Sequence, residues 1–579
     1  MSRRCSAQHS TLTARLSDAV GVTSVEGRSQ SRPPLVVRAP WLAPTAIAVL
    51  ALAASLISVT NGFAFDDLPI IVRDFRLHSL VEPWRFFTQP YWGPPSPPGL
   101  YRPLTSLTLA AQWVAGGGSA WLFHLVSVLL HVAVALSVLK LGQQLPGRTG
   151  GWWAAALFAV HPVHAEVIAT GVGQAELWAA LLTVIAVGCY VRFRREGMLG
   201  GRRTILIAVL YLTACGFKEN AIVLPGLLLA LEATVLVGVR AAAANRDVRR
   251  LMVLLLIVAA GFWIVHVMMS GSAAGDHAAL AFHGMNAGER LMTMLGIVPE
   301  WFRLLLWPLH LKVEYLPGEI HLARTFGLPQ LLGAALLAGT TALAVMLRHR
   351  LTVFTLGVLW TAVAIFPVSN VIIPSGVVLA ERTLYLPSVG VVLALGAVIA
   401  WAAEWAGGWS SSARRAAVVA GGAVLLAGVV RTALRLPVWH DMRSFREQSL
   451  LETPNSYKTH WARGVQLFQS QDFAGGEREL VTAMTIFPND PQLLARLADH
   501  YRATRRCDAA VELYGRSLAI DDSRFYLRQR MVACLIKLGR LDEAMAVARR
   551  AIAGHERDAR SDSVQVDSAM RRSTVNGRQ

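Results

Sequence analysis

Long apolar runs broken by short polar turns dominate the chain, and their spacing predicts membrane-crossing helices. Runs near 41–60, 119–140, 151–168, 177–191, 203–217, 220–238, 251–270, 329–347, 351–369, 385–403 and 414–433 approach the roughly 20 residues that a bilayer core asks for. The segment 291–311 differs, because Pro299, Glu300, Arg303 and Pro308 make it expensive as a lipid-facing helix. Charge placement decides its topology. If it does not cross, Lys140 and Arg148, the loops at 192–203 and 240–250, Arg348 with Arg350, and Arg414 with Arg415 all fall on one side, as the positive-inside tendency requires. We therefore read 291–311 as re-entrant or interfacial. The expected topology has about eleven spans, with the C-terminal region outside.

Between the first two spans, the polar loop 61–118 carries Phe86, Phe87, Tyr91 and Trp92, aromatics that suit the headgroup region. The stretch 103–115 is amphipathic but too short to span, and is expected to lie flat on the membrane. From about Asn455 the period changes to 34 residues: Phe473, Cys507 and Leu541 correspond, as do Gly476, Ala510 and Ala544, and Gly464, Ala498 and Val532. Ala483, Ser517 and Ala551 extend a set of mostly small positions where paired helices must approach closely. This spacing predicts three tetratricopeptide (TPR) repeats, at 455–488, 489–522 and 523–553, stacked into a solenoid with a concave binding face. The expected fold is all-α: a polytopic membrane core over 41–435, then a soluble TPR α-solenoid over 455–553. Residues 554–579 are polar and expected to be disordered. Residues 1–40 hold six Arg, two acidic residues and no apolar core, so a disordered cytoplasmic tail is expected rather than a cleaved signal.

Composition agrees with a membrane protein: 54% of the 579 residues are hydrophobic and 16% charged, against about 25% charged in soluble domains. A net charge of +18 raises nucleic acid as a partner. The basic residues, however, lie mostly in tails and short loops, without interleaved aromatics, so no nucleic-acid role is expected. Cys5, Cys189, Cys215, Cys507 and Cys534 show no CxxC spacing and read as isolated small hydrophobes.

Polar residues that chemistry would need collect on the outer face of this topology: Asp66, Asp67, Arg102, His161, His164, Glu166, Glu176, Lys218, Glu219, Glu381 and Arg382. Each lies at or beside the end of an apolar run, where an ionisable group is a functional candidate. Asp66 and Asp67, just past the first span, sit where a lipid-borne and a water-borne reactant both have access. Lys218-Glu219 and Glu381-Arg382 have a plainer explanation as helix-end salt bridges. His161, His164 and Glu166 have metal-like residue types, but their spacing matches no zinc signature and Pro162 breaks helical periodicity. No metal ligands are assigned, and a divalent ion is left open.

The ordered motifs FAFDDLPI, YRPLT, ALFAVHPVHAEVIA, FKENAIVLP, NAGERLMTMLGIVPEWFRLLLWPLHLKVEY and AERTLYLPSVG resemble the transmembrane-and-TPR-containing O-mannosyltransferases, in particular their bacterial relatives within the GT-C glycosyltransferase superfamily. The resemblance covers about 45–553. It implies transfer of a sugar from a polyprenyl-phosphate carrier to an acceptor hydroxyl, expected on protein Ser or Thr, at the non-cytoplasmic face. A periplasmic TPR domain on a bacterial inner membrane is implied with it. Under this resemblance Asp66 or Asp67 is the general base on the acceptor hydroxyl, with Asp66 preferred. Arg102, Lys218 and Arg382 are candidates for the leaving lipid phosphate, and His161, His164, Glu166, Glu219 and Glu381 for substrate positioning, Glu381 as a partner of Arg382. The TPR groove would hold the polypeptide acceptor or a partner protein. One departure is Gly173-Gln174-Ala175-Glu176, where the family pattern tends to carry a basic residue before the acidic position; any anion contact from there is in doubt.

Two further readings stand beside this one: transfer to a lipid or envelope glycan, and a non-catalytic membrane-anchored TPR scaffold for an envelope complex. In the scaffold, Asp66 and Asp67 would be replaceable without affecting glycosylation. A transporter fits less well, since its polar residues belong near the bilayer midplane and these gather at one face.

Overall fold

The computed structural model describes residues 40–93, 99–237, 242–271, 280–372, 374–522 and 525–550. Over these the protein is all-helical, with two isolated bridges, Tyr315 with Leu379 and Pro317 with Ile320, in place of any strand. The described residues from Pro44 onward form one compact unit. Residues 1–39 of the expected N-terminal tail 1–40, and all of the expected C-terminal tail 554–579, lie outside the described residues, as does the repeat position Ala551.

Among the described residues, seven helical stretches are long and apolar enough to cross a bilayer: Leu42–Thr60, Ala120–Gln144, Gln174–Arg195, Arg246–Ser270, Leu328–Leu347, Glu381–Trp405 and Ser411–Trp439. The chain is an integral membrane protein. In chain order the helices are α1 (Leu42–Ser55), α2 (Pro103–Gly116), α3 (Ala120–Gln144), α4 (Arg148–Ala159), α5 (Ala165–Ala169), α6 (Gln174–Arg195), α7 (Arg202–Phe217), α8 (Leu224–Ala233), α9 (Ala242–Ser270), α10 (Ala287–Leu306), α11 (Leu328–Leu347), α12 (Thr352–Ile365), α13 (Tyr385–Trp405) and α14 (Ser411–Arg435). Four of the eleven expected spans thus appear as shorter helices. The run 151–168 is divided into α4 and α5 by a turn at Pro162, α7 has 16 residues, α8 has 10 and α12 has 14. The ambiguous segment forms α10, a 20-residue helix with Pro299 inside it and an Asn286/Glu289 capping box at its start.

Small residues let these helices touch backbone to backbone, as is common where lipid supplies no hydrophobic driving force. A Cβ on Gly357 of α12 would stand 2.4 Å from the Gly390 carbonyl oxygen of α13, and one on Gly150 of α4 would stand 2.7 Å from that of Gly396. Helix α6 carries Glu176 in its first turn and Arg192, Arg194 and Arg195 in its last, complementing the helix dipole at both ends. Arg195 donates to the Gln144 carbonyl at the end of α3, so the C-terminal ends of α3 and α6 are neighbours and Glu176 lies at the opposite end of α6.

After α14 the chain passes through α15 (Met442–Glu452) into six helices: α16 (Tyr457–Gln469), α17 (Phe473–Ile486), α18 (Pro491–Ala503), α19 (Cys507–Ile520), α20 (Phe525–Lys537) and a last one at 541–550. First helices start at 457, 491 and 525, second helices at 473, 507 and 541, each a 34-residue step. Ser456, Asp472 and Asp490 cap their helices with side-chain oxygens, which satisfies otherwise unpaired N–H groups. Small repeat positions are buried where helices cross, at Gly464, Gly476, Ala483, Ala498, Ala510, Ser517 and Ala544. Phe473 and Leu541 instead stand exposed, while Cys507 joins Cys534 in the core of this array.

Candidate active site

The loop that follows α1 is fastened before it reaches its carboxylates. Asn61 donates to the Leu436 carbonyl at 3.1 Å, the Gly62 N–H donates to the His440 carbonyl at 2.9 Å, and His124 Nε2 lies 2.9 Å from the Gly62 carbonyl. Phe65 then adopts a left-handed backbone, φ +50°, a conformation bulky residues avoid. Its ring stacks on Phe445 of α15, centroids 4.8 Å apart, and its N–H points at Met442 Sδ at 3.1 Å.

Beyond this bend the two aspartates part. Asp67 is buried, 1% exposed, and accepts the N–H of Gly171 on one oxygen at 3.0 Å and that of Val172 on the other at 2.9 Å. It pins the α5–α6 turn to the loop. Close approach is needed there, because a Cβ on Gly171 would lie 2.7 Å from Ile71. Burial pushes the Asp67 carboxyl up to about 7, against the pull of the two N–H donors. The Asp66 side chain stays 27% exposed and meets the Arg382 guanidinium at 3.8 Å. Burial raises its pKa, Arg382 and Lys458 oppose that rise, and Glu166 and Glu314 reinforce it.

Arg382, which meets this carboxylate, and the two other candidate cations, Arg102 and Lys218, are each already paired. Arg382 Nη1 donates to Glu166 Oε1 at 2.5 Å, and its backbone N–H donates to Oε2 at 2.9 Å. Arg102 makes a two-pronged bond to Glu219, Nε–Oε2 at 2.9 Å and Nη2–Oε1 at 2.5 Å, and lies over the Tyr91 ring at 5.1 Å. Lys218 reaches Glu176 at 2.5 Å. The Glu219 carboxyl is held down at about 2 because, against the upward pull of burial, Arg102 and then Lys218 favour its charged form. Burial lowers the Lys218 ammonium, opposed chiefly by Glu176. Arg382 is the most open, with its side chain 26% exposed, against 12% for Arg102 and 9% for Lys218.

Several expected roles change. Glu381 does not pair with Arg382: its Oε1 accepts the Lys312 N–H at 2.8 Å and the Tyr315 hydroxyl at 2.9 Å. Neighbours in a 3₁₀ turn point apart, so Arg382 takes Glu166 and Asp66 instead. Likewise Lys218 and Glu219 pair with Glu176 and Arg102, not with each other. His161 uses both ring nitrogens structurally. Its Nδ1 accepts the Val163 N–H at 3.3 Å, so Nε2 carries the proton and donates to the Leu305 carbonyl of α10 at 3.0 Å. His164 is fully buried, its Nε2 2.9 Å from Ser388 Oγ. Gln174, where the departure from the family pattern falls, forms a reciprocal amide pair with Gln112 at 2.8 Å. Among the described residues no three His, Cys, Asp or Glu side chains are grouped to hold a metal ion.

Sequence reasoning missed Tyr91, expected among headgroup aromatics. It is 3% exposed, with burial raising its hydroxyl pKa, Arg102 opposing, and Asp66, Asp67 and Glu219 adding to the rise. Phe86, from the same expectation, is buried in the cluster with Ile70, Ile71, Leu109 and Phe123. The one available signal was the neighbouring YRP motif, which places Arg102 beside it.

No family profile and no solved structure matches the chain. Curated proteins do. Over 552 residues, 84% of the chain, it is 25% identical to human "Protein O-mannosyl-transferase TMTC1", covering 60% of that protein. It is 26% identical over 346 residues, 58% of the chain, to Caenorhabditis elegans "Protein O-mannosyl-transferase F38B6.6", covering 48% of it. A 184-residue match, 30% of the chain, is 36% identical to Drosophila melanogaster "Protein O-mannosyl-transferase Tmtc2", covering 20% of it. The chain thus spans about three-fifths or less of the length of these relatives. With 25–26% identity over 58–84% of the chain and 36% over a shorter stretch, the protein is related to the TMTC O-mannosyl-transferases.

Proposed function

We propose that this protein is a membrane glycosyltransferase that moves a sugar, mannose by analogy with its relatives, from a polyprenyl-phosphate carrier to a Ser or Thr hydroxyl of a polypeptide. The observation that carries this is the open Asp66 carboxylate, 3.8 Å from Arg382, the most exposed of the three candidate phosphate-binding cations. Asp66 takes the proton of the acceptor hydroxyl as that oxygen bonds to the anomeric carbon of the sugar. The bond from that carbon to the phosphate oxygen breaks, and its electron pair leaves on the lipid phosphate. Negative charge grows there, and Arg382 and Arg102 supply preorganised donors. Arg102 keeps its Nη1 unused by Glu219, and a guanidinium suits phosphate. Lys218 is the most enclosed of the three and positions Glu176. Glu166 and Glu219 orient the two guanidiniums.

In this proposal 41–435 is a GT-C-like core, 455–553 is the TPR-type array that presents the acceptor, and the basic helix ends face the cytoplasm. The site then opens on the non-cytoplasmic side, the periplasm in a bacterium. Purified full-length protein in nanodiscs tests it, supplied with polyprenyl-phosphate mannose or a nucleotide mannose and a peptide containing Ser and Thr. Sugar on the peptide from the lipid donor alone is the expected result. A protein that transfers from neither donor, while its array retains a partner, favours the scaffold instead.

A further inference from the structure

The C-terminal array is clamped against the site rather than hung from it. Residues 312–319 form a strap held on both sides. Toward the membrane core, the Lys312 N–H and the Tyr315 hydroxyl bond Glu381, and the Val313 N–H donates to Glu452 at 2.9 Å, which also pairs with Arg435 of α14. Toward the array, Leu316 packs against its core, the Asn455 N–H donates to Glu319 at 2.9 Å, and the Tyr457 N–H donates to the Pro317 carbonyl at 3.2 Å. This clamp places Lys458, the second residue of α16, where its ammonium donates to Glu314 of the strap at 2.8 Å while its side chain stays 40% exposed. The adjoining α15 carries the Phe445 ring that stacks on Phe65, next to Asp66. The charge of Lys458 is felt by Asp66, and that of Asp66 by Lys458.

The geometry points to Lys458 as an acceptor-positioning residue: an ammonium that the array supplies beside the loop of Asp66, there to hold a main-chain carbonyl of the acceptor peptide. An ammonium has three donors, and Glu314 takes one. Among the groups whose charges act on Asp66, the carboxylates Glu166 and Glu314, with Asp66 itself, outnumber Arg382 and Lys458, which disfavours an acidic side chain and leaves the neutral carbonyl, present at every residue of an extended chain. The role rests on the transferase reading of Asp66.

The test measures binding of a fluorescent peptide containing Ser and Thr, and sugar transfer to it, by full-length protein in nanodiscs. Wild type, Lys458→Gln and Lys458→Arg are compared. Loss of one charge-assisted bond predicts that Lys458→Gln raises the peptide Kd and KM about tenfold, with the donor KM unchanged, and that Lys458→Arg restores most of the affinity. Peptide Kd and KM at wild-type values in Lys458→Gln overturn the role, as does equal loss of turnover in both variants without a change in KM. Wild type that binds the peptide but transfers no sugar sinks the transferase reading alone, because the Kd comparison still reports on Lys458.

Discussion

A buried carboxylate that accepts two backbone N–H groups cannot also reach a substrate hydroxyl, and Asp67 is so placed. Asparagine there would turn an NH₂ group against one of those N–H donors, a loss of about 1–3 kcal/mol. Asp67→Asn is therefore expected to lower Tm in a thermal melt. Asp66 is open, and its substitution should leave Tm in place. In the proposed transferase, Asp66 acts as base in its charged form, and burial raises its pKa above the ordinary 3.8. Activity should therefore fall on acidification at a pH above the usual aspartate range. Arg382→Gln, by removing the chief cation opposing that rise, should move the limb to still higher pH, as a pH–rate profile would register. The adjacent carboxylates were legible in the sequence; their division of labour was not. It depends on the left-handed Phe65 and on a turn at Gly171, 104 residues from Asp67.

At the scale of helices, hydropathy found the seven long spans because apolar length is a local property. It overran α4 and α5, where the run continues through a Pro162 turn that carries His161 and His164. Pairing was hidden for another reason: adjacent charged residues look like partners in sequence, yet a helix start sends them to different neighbours. Arg102 with Glu219 shows what such a pair contributes. Arg102→Ala leaves the Glu219 carboxylate largely buried without its main partner, and breaking a buried pair costs about 3–5 kcal/mol. The double variant with Glu219→Ala should recover part of that loss in the same melt. The α12–α13 contact tolerates no side chain either. Gly390→Val, whose Cβ would fall 2.4 Å from the Gly357 carbonyl oxygen, is expected to cost at least about 1–3 kcal/mol, seen as a lower melting temperature in detergent.

Over the whole molecule, the ends of α3 and α6 meet at Gln144 and Arg195, and the array is strapped to the core through residues 312–319. The 34-residue period was readable as a pattern, whereas its docking joins Glu314 to Lys458 across 144 positions. Gly318 is the clamp's weak point, with φ +99° and room for no Cβ against the Asn455 carbonyl oxygen. Gly318→Val should loosen the array, and limited proteolysis should then cut near residue 454 faster than in wild type. The proposed role of Asp66 as the base is tested by the steady-state rate of mannose transfer from polyprenyl-phosphate mannose to a Ser/Thr peptide by wild type and Asp66→Asn of matched Tm. A fall of at least about a hundredfold is predicted, and Asp66→Asn turning over at the wild-type rate would contradict it.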